Sequence, residues 1–347
     1  MTVPGGPSAA GGGGRRIFVT GGSGFIGRAV VHRLLSQGDA VTSLVRDRRR
    51  GPTETLDEPD GLTVIRGDAT GPVERLAELM AGHDGVVHVA GSYRVGIPPA
   101  ERPAMFAANV TATTRVLDAA VTAGVPRIVD VSTVNAFGDT HGAIVDETYR
   151  RDPAAGFLSW YDETKYRAHE VARERIATGA PILIAMPSQT YGPGDHSGVG
   201  EQLTAAFAGT LRYRAVDEVG AALVHVDDLA DGIVRVLDHG RLGEMYVLGG
   251  PCVRLGQAIG VAAGLAGRRP PRLEMPASAL RLMVPLAPRL GGRFGIPVNL
   301  AEVLSASGDV TYWATSAKAE KELGFHARDL ETGLRDWLVG DGTGGRR

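Results

Sequence analysis

The sequence predicts an α/β fold in which a doubly wound parallel sheet carries helices on both faces, with a smaller C-terminal lobe beside it. Between residues 16 and 187, short apolar runs alternate with stretches of helical periodicity. The apolar runs are continuous, as expected for strands buried on both faces. A glycine-rich turn joins the first apolar run to the first helical stretch. These three observations indicate a sheet whose ligand binds at the carboxyl ends of its strands.

The predicted elements follow one another in a regular order. Six strands are expected at residues 16–20, 40–45, 62–67, 85–90, 127–132 and 181–187. The helices between them are expected at residues 25–38, 73–80, 104–123 and 159–178. The pattern weakens after Pro187, where a strand leading into a helix (221–237) and a further strand (244–250) are still recognisable.

Composition excludes several classes of protein. The 347 residues carry a formal net charge of −2, which gives no strong attraction to nucleic acid or to an anionic membrane. No apolar run approaches the roughly 20 residues of a membrane-spanning helix. The single cysteine, Cys252, forms no internal disulfide and builds no cysteine-based zinc site. We therefore expect a cytoplasmic protein with a small-molecule substrate and no metal, nucleic-acid or membrane partner.

The loop VTGGSGFIG follows the first strand and opens the first helix. Its glycines Gly21, Gly24 and Gly27 permit a tight turn and a close approach of the backbone to a ligand. The N-terminus of the following helix favours a pyrophosphate. In this context the loop predicts a dinucleotide site, and an ordinary strand-to-helix turn is the alternative.

The domain boundaries follow from this site. A dinucleotide-binding Rossmann domain is predicted at residues 15–190 and 221–250, and a substrate-binding lobe at residues 191–220 and 251–340. The terminal segments 1–14 and 341–347 are rich in glycine and are predicted to be flexible tails.

The end of the second strand, LVRD, bears on the choice of cofactor. An acidic residue here would bond a ribose 2′-hydroxyl, whereas Val45 occupies the tip and Arg46 follows it. The forked guanidinium of arginine suits a 2′-phosphate, and residues 48–50 add three more arginines. NADP(H) is therefore the predicted cofactor. NAD(H) is the alternative, with Asp47 as the acidic contact.

Lysine is rare in this chain, since only Lys165, Lys318 and Lys321 stand among 37 basic side chains. One of them forms the pattern Tyr161-x-x-x-Lys165, which puts both side chains on one face of a helix. An ammonium near a phenol lowers the pKa of the phenol, so Tyr161 is predicted to exchange a proton with substrate. Lys165 has donors left to hold a ribose. An ordinary exposed pair is the alternative.

A hydroxyl group that orients the substrate carbonyl is expected at the same edge of the sheet. The segment VDVSTVNAFG ends the fifth strand there and offers Ser132 and Thr133. Both hydroxyls could instead cap the local backbone.

Taken together, Thr-Gly-x-x-Gly-x-x-Gly at 20–27, Ser132-Thr133 and the Tyr161/Lys165 pair resemble the extended short-chain dehydrogenases/reductases, the NAD-dependent epimerase/dehydratase family. The similarity covers about residues 15–338. Dihydroflavonol-reductase-like and hydroxysteroid-dehydrogenase-like members are the most similar branch.

The resemblance implies a role for each matching position. Thr133 would orient the carbonyl, with Ser132 as the second candidate, and Asn109 would position a relay water or cap a helix. Phe137 and Gln189 depart from the tyrosine and asparagine usual in the family, and Gln189 makes the substrate contacts of its loop uncertain. The implied cofactor contacts are Gly21, Gly24, Phe25, Ile26, Arg46, Asp68, Ala69, Val89, Ala90, Gly91, Tyr161, Lys165, Pro187 and Thr190.

The predicted activity is NADP(H)-dependent reduction of a ketone, or the reverse oxidation of a secondary alcohol. Dehydration is disfavoured because Val134 and Asn135 replace the acidic pair usual after the orienting threonine. An NAD-dependent sugar-nucleotide epimerase is the first alternative, and a non-catalytic nucleotide-sensing regulator is the second. The segment 273–290 would supply an apolar pocket, and the helices at 104–123 and 159–178 resemble those of dimeric relatives.

Overall fold

The computed structural model of the chain describes residues 14–46, 59–275, 284 and 299–340. Several predicted features lie outside the described residues. These are nearly all of the two terminal tails, Asp47 with the arginines at 48–50, and most of the apolar segment 273–290.

The eight predicted strands are found close to their predicted positions, and five further short strands among the described residues were not predicted. In chain order the strands are β1 (Arg16–Thr20), β2 (Ala40–Val45), β3 (Leu62–Arg66), β4 (Gly85–His88), β5 (Ile128–Val131), β6 (Ile182–Pro187), β7 (Gln189–Tyr191), β8 (Arg214–Ala215), β9 (Gly220–His225), β10 (Met245–Leu248), β11 (Cys252–Arg254), β12 (Glu274–Met275) and β13 (Thr311–Tyr312). The strands that were not predicted are β7, β8, β11, β12 and β13.

The helices alternate with the strands in the first two thirds of the chain. The α-helices are α1 (Phe25–Ser36), α2 (Val73–Met80), α3 (Arg102–Phe106), α4 (Ala112–Thr122), α5 (Trp160–Ala177), α6 (Gly198–Ala208), α7 (Val226–His239), α8 (Leu255–Leu265), α9 (Leu300–Ser307), α10 (Ala317–Leu323) and α11 (Leu330–Leu338). Short 3₁₀ turns lie at Pro99–Glu101, Val134–Phe137 and Pro153–Ala155.

The main sheet has seven strands in the order β10-β6-β5-β4-β1-β2-β3, and every pair is parallel. The predicted doubly wound parallel sheet is confirmed. The strand order reverses between β1 and β4, because the chain proceeds outward from β1 to β3 and then returns to β4 on the other side. Such a reversal opens a crevice at the carboxyl ends of the strands, where ligands of open α/β sheets bind.

Helices cover both faces of this sheet. One face packs against α2, α4 and α5 through Phe18, Val86 and Ile128, and the other packs against α1 and α7 through Ile17, Val87 and Val129. Successive residues of a strand point to opposite faces, so each central strand contributes to both cores. This double burial explains why the strands are continuous apolar runs.

The C-terminal lobe is built on a second, smaller sheet. In it β9 pairs with β7, β11 and β13 rather than with the main sheet. A third core lies under this sheet, with Leu203, Ile259 and Leu334 at its centre. The sequence between 221 and 250 gave no indication of two sheets, since β9 and β10 are both short apolar runs. Only β10 joins the main sheet.

The helix predicted at 104–123 is interrupted in the structure. A π-helical turn, Ala107–Thr111, joins α3 to α4 and contains Asn109. Such a turn inserts one residue into the helical repeat and is frequent at functional sites. Within the described parts of the chain, no helix is long and apolar enough to cross a membrane, and no cluster of His, Cys, Asp or Glu could hold a metal ion.

Candidate active site

A cleft of about 1080 Å³ runs along the carboxyl ends of the parallel strands. The strand-end residues Val45, Arg66, Val131 and Pro187 lie in its wall. The cleft also brings together every residue that the sequence predicted for catalysis or cofactor binding: Gly21, Gly24, Phe25, Ile26, Arg46, Asp68, Ala69, Val89, Ala90, Gly91, Asn109, Ser132, Thr133, Tyr161, Lys165, Pro187 and Thr190.

Two glycines of the loop after β1 are required by close backbone contacts. Gly21 has a φ of 75°, and a Cβ atom on it would lie 2.7 Å from Cα of Ala90. A Cβ atom on Gly27 would lie 2.1 Å from the carbonyl oxygen of Gly21. The loop therefore folds back on itself and against the end of β4 with no room for a side chain.

Gly21→Ala is expected to reduce the free energy of unfolding by about 1–3 kcal/mol, because the left-handed backbone and the contact with Ala90 both oppose a methyl group. Chemical denaturation measures the change. Gly24→Ala is the matched control, since Gly24 has a φ of −78° and a Cβ atom there would lie no closer than 3.2 Å to the carbonyl oxygen of Gly21. Equal losses in the two variants would contradict this account.

The first turn of α1 has the properties of a phosphate site. Its N-cap residue is Gly24, so no side chain caps the first amide groups, and the first turn holds no acidic residue. Uncapped amides and the positive end of the helix dipole attract an anion. Arg28 also faces the cleft one turn further along, close to Gly194. This end of the cleft fits the pyrophosphate of a dinucleotide.

The other end of the cleft lies beyond β2 and β3. Arg46 follows β2 directly and is exposed, and Arg66 ends β3 beside it in the cleft wall. The Asp68 carboxylate accepts hydrogen bonds of 2.9 Å from the Thr70 amide and hydroxyl, which fixes the turn that contains the buried Ala69. Two arginines at this end give a site suited to a phosphate.

Tyr161 stands at the first turn of α5, where its ring packs against Ile97 and Met105. The ring of Tyr93 meets it edge-on with 4.8 Å between centroids. Burial raises the pKa of Tyr161, the neighbouring phenol of Tyr93 adds to this rise, and a hydrogen bond with Thr133 opposes it. The pKa of Tyr161 is therefore raised, whereas the sequence predicted that Lys165 would lower it, because burial outweighs every other effect on the phenol.

The two candidate hydroxyls of β5 differ in their surroundings. Ser132 is hydrogen-bonded to Nδ1 of His169 at 3.0 Å beneath α5. Thr133 begins the 3₁₀ turn after β5, donates to Oδ1 of Asn135 at 3.1 Å and bonds Tyr161. Thr133 is thus the hydroxyl in contact with the phenol, and Ser132 is held by the helix below.

Lys165 lies one turn after Tyr161 and reaches into the same cleft. Its Nζ donates to the carbonyl oxygen of Val131 at 3.3 Å. The ammonium is therefore anchored to the end of β5, with further donors available to a ligand. Together, the glycine loop, the hydroxyl of Thr133 and the Tyr161/Lys165 pair surround one continuous space, which is the arrangement needed to hold a dinucleotide against a proton donor.

A model of the NAD dependent epimerase/dehydratase family matches residues 17–249, which is most of the chain. The chain belongs to this family. The resemblance inferred from its motifs is thereby confirmed.

Family relatives of known name act in different reactions. The “Putative dihydroflavonol 4-reductase” of Synechocystis sp. is 30% identical over 339 residues, covering 92% of each chain. A dTDP-glucose 4,6-dehydratase of Mycobacterium tuberculosis is 32% identical over 67% of this chain and 72% of its own. The DesIV dehydratase double mutant of Streptomyces venezuelae, solved with NAD and DAU bound, has a TM-score of 0.74 and 25% identity, covering 95% of this chain and 97% of its own.

In this family member a second, small pocket of about 90 Å³ opens from the cleft at Tyr161. Its walls come from both parts of the fold, since Val134 follows β5 whereas Leu223 and Tyr312 belong to the smaller sheet. No charged side chain is among its described lining residues, which are Tyr93, Val95, Val134, Asn135, Ser159, Tyr161, Gln189, Val199, Val219, Ala221, Leu223, Val253, Leu255, Ala306 and Tyr312.

Asn109 is almost fully buried, at 1% exposure, in the π-helical turn. Its Oδ1 accepts from the Ser92 amide at 2.7 Å, and its Nδ2 donates to Oγ1 of Thr164 at 2.9 Å and to the Ser92 carbonyl at 3.1 Å. The side chain thus ties the loop after β4 to α5. Its role toward a relay water stays a prediction.

The N-terminus of α5 is held from three sides. Ser159 caps it by accepting from the Asp162 amide, and Asp162 in turn pairs with Arg151 at 3.0 Å. Oε1 of Glu302, on α9 of the C-terminal lobe, accepts from the Trp160 amide at 2.6 Å. Both neighbours of Tyr161 in the chain are therefore fixed by buried contacts.

The motifs did not identify Tyr93, Glu302 or Asp130, although all three lie at or beneath the site. An aromatic residue in a loop after a strand, and a distant glutamate, give no local signal. Asp130 did give one, because VDVS places an acidic residue inside an apolar strand. A buried charge of this kind calls for a partner.

Proposed function

We propose that this protein is an NADP(H)-dependent oxidoreductase that reduces a ketone to a secondary alcohol, or catalyses the reverse, with Tyr161 as general acid or base. The observation that carries the proposal is that Tyr161 lines both the long cleft and the small apolar pocket. A phenol at such a junction can exchange a proton with the oxygen of a substrate whose carbon exchanges a hydride.

Each residue of the site then has a defined role in the proposed reaction. A bound nicotinamide supplies or accepts the hydride. Thr133 hydrogen-bonds with Tyr161 and would orient the carbonyl oxygen, while Lys165 would hold a ribose. Because burial raises the pKa of Tyr161, the phenol keeps its proton at neutral pH. That is the form that donates to a ketone oxygen, which favours the direction of reduction.

The chemistry of the small pocket favours an uncharged, largely apolar ketone. Its described lining offers aliphatic and aromatic side chains with a few neutral polar groups and no charge. The diphosphate of a sugar nucleotide calls for arginine or lysine contacts. The same lining accommodates an apolar ketone without leaving a charge unpaired.

Sugar-nucleotide epimerisation with tightly held NAD is the alternative that the dehydratase relatives favour. Dehydration itself has less support, because Val134 and Asn135 line the pocket where an acidic pair would be needed. Denaturing the purified protein and assaying the supernatant for NAD tests this alternative. A stoichiometric release of NAD with no steady-state oxidation of NADPH would favour the epimerase. The nucleotide-sensing alternative is disfavoured by the intact Tyr161/Lys165 pair.

Oxidation of NADPH, monitored by the loss of its absorbance with steroid, polyketide, aromatic and sugar ketones, tests the activity directly. The proposal expects turnover with apolar ketones and none with sugar nucleotides. Turnover of sugar nucleotides alone, or of no ketone at all, would contradict it.

Arg46→Ala is expected to weaken NADPH binding by about tenfold while leaving NADH binding nearly unchanged, because one charge-assisted contact with the 2′-phosphate is lost. Quenching of tryptophan fluorescence measures both dissociation constants. Arg28→Ala is the matched control: Arg28 faces the pyrophosphate end of the cleft, so both cofactors should weaken together. An Arg46→Ala variant that keeps the wild-type ratio of the two constants would count against NADP(H).

The proposal also includes a homodimer formed through α4 and α5, and action in the cytoplasm. Light scattering on the purified protein tests the dimer. A monomeric mass at micromolar concentration would exclude it.

A further inference from the structure

Asp130 is an acidic residue in the centre of the main sheet. It lies on β5, in register with His88 of β4 and Ile184 of β6, and is 3% exposed. The strands on either side of it are fully buried. Placing a carboxylate here is unfavourable unless an opposite charge compensates it.

The direction of the Asp130 side chain follows from the alternation along β5. Ile128 packs into the core beneath α2, α4 and α5, so Asp130, two residues later, points to the same face. On that face α5 carries Lys165, whose Nζ bonds the carbonyl oxygen of Val131 at 3.3 Å. The ammonium therefore lies against the backbone of the residue next to Asp130.

The other titratable groups around Lys165 are neutral. His88 is bonded through its two ring nitrogens to the hydroxyls of Thr20 and Thr113, and burial lowers its pKa to about 3. His169 bonds Ser132, and burial likewise lowers its pKa to about 3. Tyr161 retains its proton. Among the described groups facing Lys165 from β4, β5 and α5, Asp130 is thus the one that supplies an opposite charge.

We propose that Asp130 is a positioning residue whose charge, on the face of the sheet beneath α5, keeps the Lys165 ammonium charged at the cofactor cleft, acting through Lys165 without touching substrate. The consequence for catalysis rests on the proposed reductase function, whereas the coupling between the two charges does not.

Each group counteracts the effect of burial on the other. Burial raises the pKa of Asp130 to about 6, and Lys165 opposes the rise. Burial lowers the pKa of Lys165, and Asp130 opposes the fall. Above about pH 6 the carboxylate is ionised and supports the ammonium, so its influence extends through the neutral and alkaline range. Below that pH Asp130 gains a proton, and Lys165 remains charged without it.

The scarcity of lysine makes a direct test practical. Protein labelled with ¹³Cε-lysine contains three labelled side chains, Lys165, Lys318 and Lys321. The variants Lys318→Arg and Lys321→Arg assign their resonances. In Asp130→Asn the pKa of Lys165 is expected to fall by about one pH unit or more, while those of Lys318 and Lys321 stay unchanged.

Asp118→Asn is the matched control, since Asp118 lies on α4 and pairs with Arg175 near the other end of α5. It removes the same charge and should leave Lys165 unaffected. A pKa of Lys165 that is equal in wild type and Asp130→Asn would overturn the proposal. If Asp130→Asn does not fold, the wild-type titration decides. A second inflection of the Lys165 resonance near pH 6, where Asp130 titrates, supports the coupling, and its absence contradicts it.

An activity measurement separates this proposal from the proposed function. In Asp130→Asn the alkaline decline of kcat/KM for ketone reduction should begin about one pH unit lower, because Lys165 loses its proton earlier. If the resonance of Lys165 responds to Asp130 but no ketone is reduced by the wild type, the reductase function fails and the role of Asp130 stands. If ketone reduction is found and the resonance of Lys165 does not respond to Asp130, the reductase function stands and the role of Asp130 fails.

Discussion

Tyr161→Phe is expected to lower kcat for ketone reduction by about 10²–10⁴-fold, because the substitution removes the proton donor together with its hydrogen bond to Thr133. The phenyl ring keeps its packing against Ile97 and Met105, so the fold should persist. Lys165 keeps its bond to Val131, so the dissociation constant for NADPH should change little. Steady-state kinetics and a cofactor titration on the same preparation measure the two quantities.

Tyr93→Phe provides the matched control, because Tyr93 contacts Tyr161 edge-on in the same site and would lose a hydroxyl without losing its ring. Its rate should fall far less than that of Tyr161→Phe, because the Tyr161 phenol remains and the ring of residue 93 still lines the pocket. The pH dependence adds a second check. Since burial raises the pKa of Tyr161, the phenol should keep its proton through the neutral range, and its own ionisation should lower the rate only in strong alkali, beyond the decline caused by deprotonation of Lys165. Ketone reduction that survives in Tyr161→Phe would exclude this tyrosine as the acid.

The main sheet could be predicted from the sequence because its signals are local. A strand such as 182–187 is buried on both faces, so every residue in it is apolar and the run is visible without knowing its neighbours. The glycine loop could be predicted for the same reason. The positive φ of Gly21 and the close contact at Gly27 both require glycine, so the spacing of these residues is visible in the local sequence.

The second sheet could not be predicted, because pairing partners are not encoded locally. The strand Gly220–His225 has the same apolar character as Met245–Leu248, yet it pairs with β7, β11 and β13, which come from distant parts of the chain. The π-helical turn at Ala107–Thr111 was missed for a related reason. It is stabilised by bonds from Asn109 to Ser92 and Thr164 rather than by the propensity of its own residues.

For the site, the sequence likewise predicted which residues are present but not the surroundings of their side chains. The sequence predicted which residues meet in the cleft, because motif spacing fixes their positions on strand ends and on one helix. It did not predict the direction of the pKa shift of Tyr161, because burial by Ile97, Met105 and Tyr93 depends on tertiary packing. A four-residue spacing between a tyrosine and a lysine carries no information about desolvation.

Arg151→Met is expected to reduce the free energy of unfolding by about 3–5 kcal/mol, which is the usual effect of leaving one partner of a buried ion pair alone. The Arg151 and Asp162 side chains are 7% and 1% exposed, and their contact is 3.0 Å. The guanidinium also donates to the carbonyl of Gly156 and lies over the ring of Phe157. Chemical denaturation of wild type and variant measures the loss.

The pH dependence of the stability loss in Arg151→Met shows whether the unpaired carboxylate of Asp162 causes it. Burial already raises the pKa of Asp162, and Arg151 opposes that rise. Without Arg151, the folded-state pKa lies still further above the unfolded value of about 3.9. Ionisation then opposes folding, so the deficit of Arg151→Met should be small at about pH 5 and grow toward about pH 8. A deficit that does not depend on pH would mean that lost packing, not charge, is responsible.

Two further variants test whether the loss of stability comes from burying an unpaired charge or simply from losing an ion pair. Arg151→Met combined with Asp162→Asn removes both charges and should recover part of the stability lost in the single variant. Arg167→Met breaks the pair with Glu163 on the exposed face of the same helix, and should change stability by no more than about 1 kcal/mol.

Because Asp162 follows Tyr161 and also accepts from the Leu158 amide, its loss of a partner should loosen the first turn of α5. Ketone reduction should therefore weaken in Arg151→Met even at temperatures where the variant remains folded, whereas Arg167→Met should reduce ketones at the wild-type rate.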